Sequence, residues 1–465
     1  MLYDTTTTPQ GGLTYALAEL AATLPGEVVT PGDPGWQAAA APWVLSVDQR
    51  PHAVVTVADE EDVVATVRWA ARHGLPVSAQ PVGHGATTAL DRTVLIRTRA
   101  LAEITIDAER RVARVGAGVK WGELLAATEP FGLTALAGSS PDPSVVGFTL
   151  GGGLSWFGRA HGLASHGVVA VELVDPRGDV RRVTATSDPD LFWALRGGGG
   201  DFGIVTAMEV ELHPVAHLYG GRLLWPIEMA FPVLSAFAAV TKAAPDELTL
   251  WAHLFRFPPM PDVPEPLRGR AFVSVDVAFL GSAAEAEELL APLRNIPAQF
   301  SDSLGTVPLS ELGGIAAEPV DPMPIAELSG LLRDFDLKAI ERLLSVAGSA
   351  VDSPLAVVQI RHLGGALARA TEQDGPAGAI DEPYQLFCLG VPMSPELAGA
   401  IQGAFASVGE VLVGHLSGRT FFNFLGASDD PGRAFSPAVL ARLGEVKRRV
   451  DPAGTIRSNR PVLRG

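Results

Sequence analysis

Between Pro81 and Gly153 the chain surrounds itself with glycine twice. Pro81-Val82-Gly83-His84-Gly85 opens the stretch, and Gly147-Phe148-Thr149-Leu150-Gly151-Gly152-Gly153 closes it. Residues without a Cβ let backbone amides crowd against a large, flat or anionic ligand, which is the chemistry of a cofactor bed. His84 lies between two of those glycines, an imidazole that either faces such a ligand or caps a carbonyl of its own loop. Further on, Gly197-Gly198-Gly199-Gly200-Asp201-Phe202-Gly203 leads into an apolar run. Four glycines in line make a poor structural loop and a good place for close backbone approach.

Other chemistries lack the residues they need. Cys388 is the single cysteine, so neither an internal disulfide nor a thiolate metal site is available. The ten histidines show no His-Glu-x-x-His and no other metal-ligand spacing. With 35 basic against 52 acidic residues, a formal charge of −17 and no basic cluster, nucleic acid is not an expected partner. No apolar run reaches bilayer length, and residues 1–8 carry neither a basic nor an apolar leader region. The expectation is a soluble, cytoplasmic protein without a membrane partner.

At 465 residues, 47% hydrophobic and 19% charged, the chain exceeds the size at which one core stops growing, so two domains are expected. Residues 53–57 are β-branched and predict a strand; Asp59 then caps a helix with Glu60, Glu61 and Asp62 in its first turn, ended by Gly74. Residues 75–79 predict a second strand that runs straight into the 82–85 loop. A β-α-β unit thereby delivers His84 to the carboxyl end of a strand, where ligands sit in such units. Gly116-Ala117-Gly118-Val119-Lys120-Trp121-Gly122 imitates a dinucleotide fingerprint, but its third glycine is one residue late and the expected acidic residue is missing. Nicotinamide binding is therefore disfavoured.

After His213-Pro214, strands (222–226, 250–257, 271–280, 355–363, 384–391, 418–425) alternate with helices (about 231–243, 283–294, 336–347 and 395–411). The pattern predicts an α+β half with an antiparallel sheet covered on one face by helices. The expected division is residues 1–217, 218–435, and a segment 436–465 that returns to the first part.

Read together, these pieces resemble the berberine bridge enzyme-like branch of the FAD-linked oxidases, the vanillyl-alcohol oxidase/p-cresol methylhydroxylase (PCMH) superfamily. The motifs are Val82-Gly83-His84-Gly85, Gly147 to Gly153 with Ser155-Trp156, Asp190-Leu191-Phe192-Trp193-Ala194-Leu195-Arg196 with its glycine run through Val205, and Asp451-Pro452 to Asn459. The resemblance implies a two-subdomain PCMH-type FAD-binding domain, a substrate domain, and FAD as cofactor. It places the cofactor on Val82, Gly83, His84, Gly85 and Ala86, on Gly138, Ser139, Ser140, Gly147, Gly151, Gly152 and Gly153, and on Gly200, Gly203, Val205 and Asn459. In many members the loop histidine is bonded to the flavin, so the resemblance makes His84 the candidate for a covalent link to FAD.

Three departures from the family pattern stand out. Ser139-Ser140-Pro141 replaces the cysteine of doubly tethered members, leaving at most one tether. Pro143-Ser144 replaces smaller residues beside the flavin face that meets oxygen, so the electron acceptor is oxygen or another oxidant. Phe421-Phe422-Asn423 stands where the family has a catalytic Tyr-x-Asn on a strand. The resemblance then makes His362, just before Leu363-Gly364-Gly365, either the replacement base or a histidine packed on the sheet; Asn423 and Tyr384 are further candidates. The implied reaction takes a hydride from an alcohol or amine carbon of a small molecule, a sugar or secondary metabolite. A redox-neutral cyclisation or isomerisation, or flavin binding without turnover, are the alternatives that Phe421 favours.

Overall fold

The computed structural model describes residues 9–371 and 374–463. The first half contains a four-stranded sheet in the order Glu27–Val29, Ala53–Thr56, Val94–Arg97, Val77–Ala79, of which the last three run parallel. Helix Glu60–His73 connects two of them: Asp59 accepts a hydrogen bond from Asp62 N, and Gly74 closes the helix at φ 64°. Val63 and Val67 bury against Val55 and Ile96, and this packing aims the end of Val77–Ala79 at the glycine loop.

A five-stranded antiparallel sheet follows, ordered Ile104–Asp107, Val112–Gly116, Ile204–Glu211, Val168–Val174, Val180–Val183. The fingerprint-like turn lies at its edge. A Cβ on Gly116 or Gly118 would come within 2.2 Å of Leu101 O or 2.3 Å of Thr98 O, so these glycines serve strand packing.

The second half is built on an eight-stranded antiparallel sheet. Its main path is Ser301–Asp302, Tyr219–Pro226, Ala271–Phe279, Leu248–Arg256, Val357–His362, Tyr384–Gly390, Ala326–Leu332, with Gly305–Thr306 added beside Tyr219–Pro226. Helices Ala230–Ala243, Ala283–Arg294, Leu337–Ala347 and Pro395–Val411 pack on one face around Phe237, Leu290, Leu343 and Ile401. The fold is thus α+β, with the helices on one side of the large sheet and the glycine-rich half on the other.

Two expectations change here. Ala326–Leu332 is a strand that was not anticipated. Residues 418–425 do not form one: Gly418 is left-handed at φ 87°, Leu331 N donates to Arg419 O at 2.8 Å, and the chain then coils into the 3-10 turn Phe422–Phe424. Aromatic and β-branched residues suggested a strand, but the segment leaves the sheet so that Asn423 can reach the opposite half. The last helix, Pro437–Val450, packs on Pro189–Leu195, and Ile456 bridges to Val77.

Candidate active site

The two halves enclose a cavity of about 1260 Å³. That exceeds the roughly 300–1,000 Å³ typical of a site for one drug-sized ligand. Its floor is the glycine segments and its roof the uncovered face of the large sheet.

The first loop is stapled in place by Trp43 N donating to Val82 O at 3.2 Å and Ala86 N to Gly83 O at 3.3 Å. Gly83 has φ 106°, and a Cβ there would stand 2.9 Å from Pro42 Cα and Trp43 N, so no other residue fits this turn. The turn lays the His84 ring flat on Trp43, centroids 4.4 Å apart at 19°. His84 Nε2 lies 3.6 Å from Asp142 Oδ2, and Asp142 also holds Lys120 Nζ. Burial pushes the imidazole down to about 4, against the opposing pull of Asp142 and with a further push from Lys120. At neutral pH His84 is therefore an uncharged imidazole at the cavity wall.

Around the second segment, Ser144 caps the short helix Val145–Leu150 by accepting from Gly147 N at 3.0 Å. Gly152 and Gly153 follow with φ 107° and 77°. Asn423 grips this turn from the other half: its Oδ1 accepts from Gly153 N at 2.9 Å and its Nδ2 donates to Phe148 O at 3.1 Å. A Cβ on Gly151 would collide with that amide at 2.4 Å. In the third run, Gly199 N donates to Leu150 O at 2.8 Å, while a Cβ on Gly200 would meet only Leu150 Cδ1 at 3.9 Å, because the space beside it is the cavity. Asn459 Oδ1 accepts from Thr87 N at 3.0 Å, which ties the end of the chain to the first loop.

The structure brings Val82, Gly83, His84, Gly85, Gly138, Ser139, Ser140, Gly147, Gly151, Gly200, Gly203, Val205 and Asn459 to this one cavity. Ala86, Gly152 and Gly153 do not line it; they turn the backbone just behind the wall. Three amide-rich segments with an uncharged imidazole and no lysine at the wall suit a flavin dinucleotide, whose diphosphate is held by backbone N–H groups.

The expected base is not where the sequence placed it. Along Val357–His362, Gln359 and Arg361 line the cavity, whereas Val358 and Ile360 belong to the core under the helices. His362 is in phase with the latter pair, so it faces away from the site. Its ring lies 6.0 Å from that of Tyr384, whose hydroxyl pairs with Thr241 Oγ1 at 2.7 Å. Burial, then Arg159, pushes His362 down to about 2. His362 and Tyr384 are packing residues on the helical face, and Asn423 is a latch with both ends of its amide spent. Phe421 is no vacancy left by a tyrosine: its side chain packs with Leu154, Leu163, Leu331, Leu363 and Leu367, off the cavity.

Sequence reading passed over the groups that the sheet does present. Glu327 projects from Ala326–Leu332 at the cavity wall, its surface open to the cavity, and among the described residues it makes no hydrogen bond. This burial raises its carboxyl to about 7, Arg460 and Arg361 pulling the other way. The same wall carries Arg361, Gln359, His253 and Phe387 from the neighbouring strands of the sheet. Alternation of Glu327, Ser329 and Leu331 against Ala326 and Leu328 was the available signal. Elsewhere, Asp334, Asp336 and His415 approach one another, but Asp336 is the cap of Leu337–Ala347 and none of the three lines the cavity.

Residues 51–184 match an FAD binding domain. The (R)-6-hydroxynicotine oxidase of Paenarthrobacter nicotinovorans is 28% identical over 448 residues, 93% of this chain and 96% of that protein. The crystal structure of 6-hydroxy-D-nicotine oxidase from Arthrobacter nicotinovorans has a TM-score of 0.80 at 25% identity, covering 93% of this chain and 96% of its own. Berberine bridge enzyme from Eschscholzia californica shares the fold, with a TM-score of 0.81 at 18% identity over 97% and 98% of the two chains. The FAD binding domain and the FAD-linked relatives make the chain an FAD-dependent oxidoreductase. The chain shares its fold with berberine bridge enzyme, and its FAD binding domain and FAD-linked relatives agree with that likeness.

Proposed function

We propose that this oxidoreductase removes a hydride from an alcohol or amine carbon of a small molecule lying between the glycine bed and the sheet, with Glu327 as the base. When bound, FAD would supply the two-electron acceptor for that hydride. The protein's task is then to hold the substrate and take one proton from its hydroxyl or amine. The observation that carries the reading is the Glu327 carboxyl on the cavity wall, raised to about 7 and without a hydrogen-bond partner among the described residues. A base tuned close to ambient pH is half ionised where it works, which favours proton transfer. The name of the nicotinovorans relative, a hydroxynicotine oxidase, supports a small nitrogen-containing substrate.

The cofactor positions assigned from sequence belong to this proposal, as does the division at 217/218 and 435/436, which separates the bed from the sheet. His84 is proposed to carry the flavin covalently, since it is uncharged, oriented by Trp43 and at the wall. Oxygen or another small oxidant takes the electrons; Pro143 and Ser144 at the wall favour slow reaction with oxygen. A cytoplasmic setting rests on composition alone.

The test is a panel of small alcohols and amines mixed anaerobically with the protein, read as bleaching of the flavin band. With a reducing compound in hand, Glu327→Gln should slow reduction by about 10²–10⁴ and remove the rise in rate through pH 7. An unchanged rate would reject Glu327 as base.

A further inference from the structure

The cavity is lined by five arginines, and four of them are committed to the protein. Arg222 pairs with Asp276 at 2.6 and 2.7 Å. Arg256 Nη2 donates to three backbone carbonyls, Arg270 Nη1 donates to Pro266 O, and Arg460 donates to Gly85 O and Leu425 O. Arg361 differs. It is only 5% exposed, its Nε donates to Gln359 Oε1, and among the described residues its two terminal nitrogens have no hydrogen-bond partner, the carboxylates of Glu318 and Glu327 acting on its charge only at longer range. A buried guanidinium with an empty fork is expensive unless something else fills it.

The fork is held in advance. Its Cζ lies over Trp251, 4.2 Å from the ring centroid, with the Phe424 centroid at 5.1 Å and that of Phe387 at 5.5 Å. Trp251 in turn stacks on Trp156 at 3.6 Å. Because Gln359 must offer its oxygen to Arg361, its amide nitrogen faces His253 Nε2, which therefore accepts. His253 Nδ1–H then points to Ser274 Oγ at 3.3 Å, and Ser274 to Asp276 Oδ1 at 3.5 Å. Burial pushes His253 well below its ordinary value, which keeps this tautomer uncharged. The relay consumes Nε of Arg361 and leaves Nη1 and Nη2 for a ligand.

We propose that the substrate carries a carboxylate on an apolar or aromatic body and that Arg361 captures it through a two-pronged ion pair. This rests on the proposed function, placing the substrate on the sheet side with its anion at Arg361. A planar fork matches a carboxylate with two parallel hydrogen bonds, and Phe387 and Phe424 flank it with apolar surface suited to the rest of such a molecule.

The experiment is equilibrium binding to the oxidised holoenzyme, read as perturbation of the flavin spectrum, with benzoate, phenylacetate and 3-phenylpropionate each set against its primary amide. At least one acid should bind about tenfold or more tightly than its amide. Arg361→Gln should abolish that preference with flavin content unchanged. Arg361→Lys, which keeps the charge and loses the fork, should reduce it, and it decides the matter if the glutamine variant does not fold. Equal binding of acids and amides by the wild-type protein, or a preference untouched in both variants, would overturn the proposal. Because no turnover is needed, the result stands apart from whether any compound reduces the flavin. Rapid reduction by an uncharged alcohol, unaffected by Arg361→Gln, would reject the carboxylate and leave the oxidoreductase reading intact.

Discussion

His362 and Arg361 are neighbours in sequence and lie on opposite faces of one sheet, so chemistry and packing divide between them. Replacing His362 with Ala should change flavin reduction by no more than about threefold, far below the 10² that loss of a general base costs. It should instead destabilise the protein by about 1–3 kcal/mol, as expected for a truncation in a packed interior; parallel stopped-flow and denaturant titrations separate the two effects. His84 makes the opposite kind of residue, an uncharged imidazole displayed to the cavity. Acid-precipitated wild-type protein should retain its flavin, and His84→Ala should release all of it into the supernatant. Flavin released from the wild-type protein would make the contact non-covalent.

Among the elements, the 3-10 turn Phe422–Phe424 clamps the glycine turn of the other half through both ends of the Asn423 amide. Asn423→Ala leaves Gly153 N–H and Phe148 C=O without these partners, a cost of about 1–3 kcal/mol for each group that water cannot reach. The bed then loosens before the sheet does. In a His84→Ala background, which removes the tether, isothermal titration of flavin-depleted protein should show FAD affinity reduced at least about fivefold by Asn423→Ala. Asn423→Asp would restore only the acceptor, so an intermediate affinity is expected.

For the whole molecule, the cavity couples stability to pH through Glu327. Its carboxyl titrates near 7 in the folded protein and near 4.5 once unfolded, so the folded state keeps a proton that the unfolded state gives up between those values. The stability linked to that proton is fully present below about pH 4.5 and lost as pH rises through 7. Thermal melts should therefore show Glu327→Gln raising the midpoint relative to wild type above pH 7, with the difference vanishing at pH 4.5. A constant offset across the range would mean that the cavity does not perturb this carboxyl. The same protein loses activity with Gln at 327, so stability and catalysis oppose each other at one side chain.

What the sequence determined by itself was the bed. Gly83, Gly151 and Gly199 are required by local backbone geometry and close approach, which residue identity reports directly, and the β-α-β unit that presents His84 is written in contiguous residues. The helices over the second half were legible for the same reason, since their caps and apolar periods are local: Ser394 and Pro395 start one helix, and Ser282 with Glu285 boxes another. The roof of the site was not legible. Which face of Val357–His362 meets the cavity depends on where the helices from residues 230–411 pack, and a shift of one position exchanges His362 for Arg361. The charge states of Glu327 and His253 arise from burial by residues far off in the chain, and the free fork of Arg361 depends on Gln359 reaching His253, 106 positions away. Residue types can be read along a chain, but which of them face one cavity, and with what charge, is settled only when the sheet has two different sides.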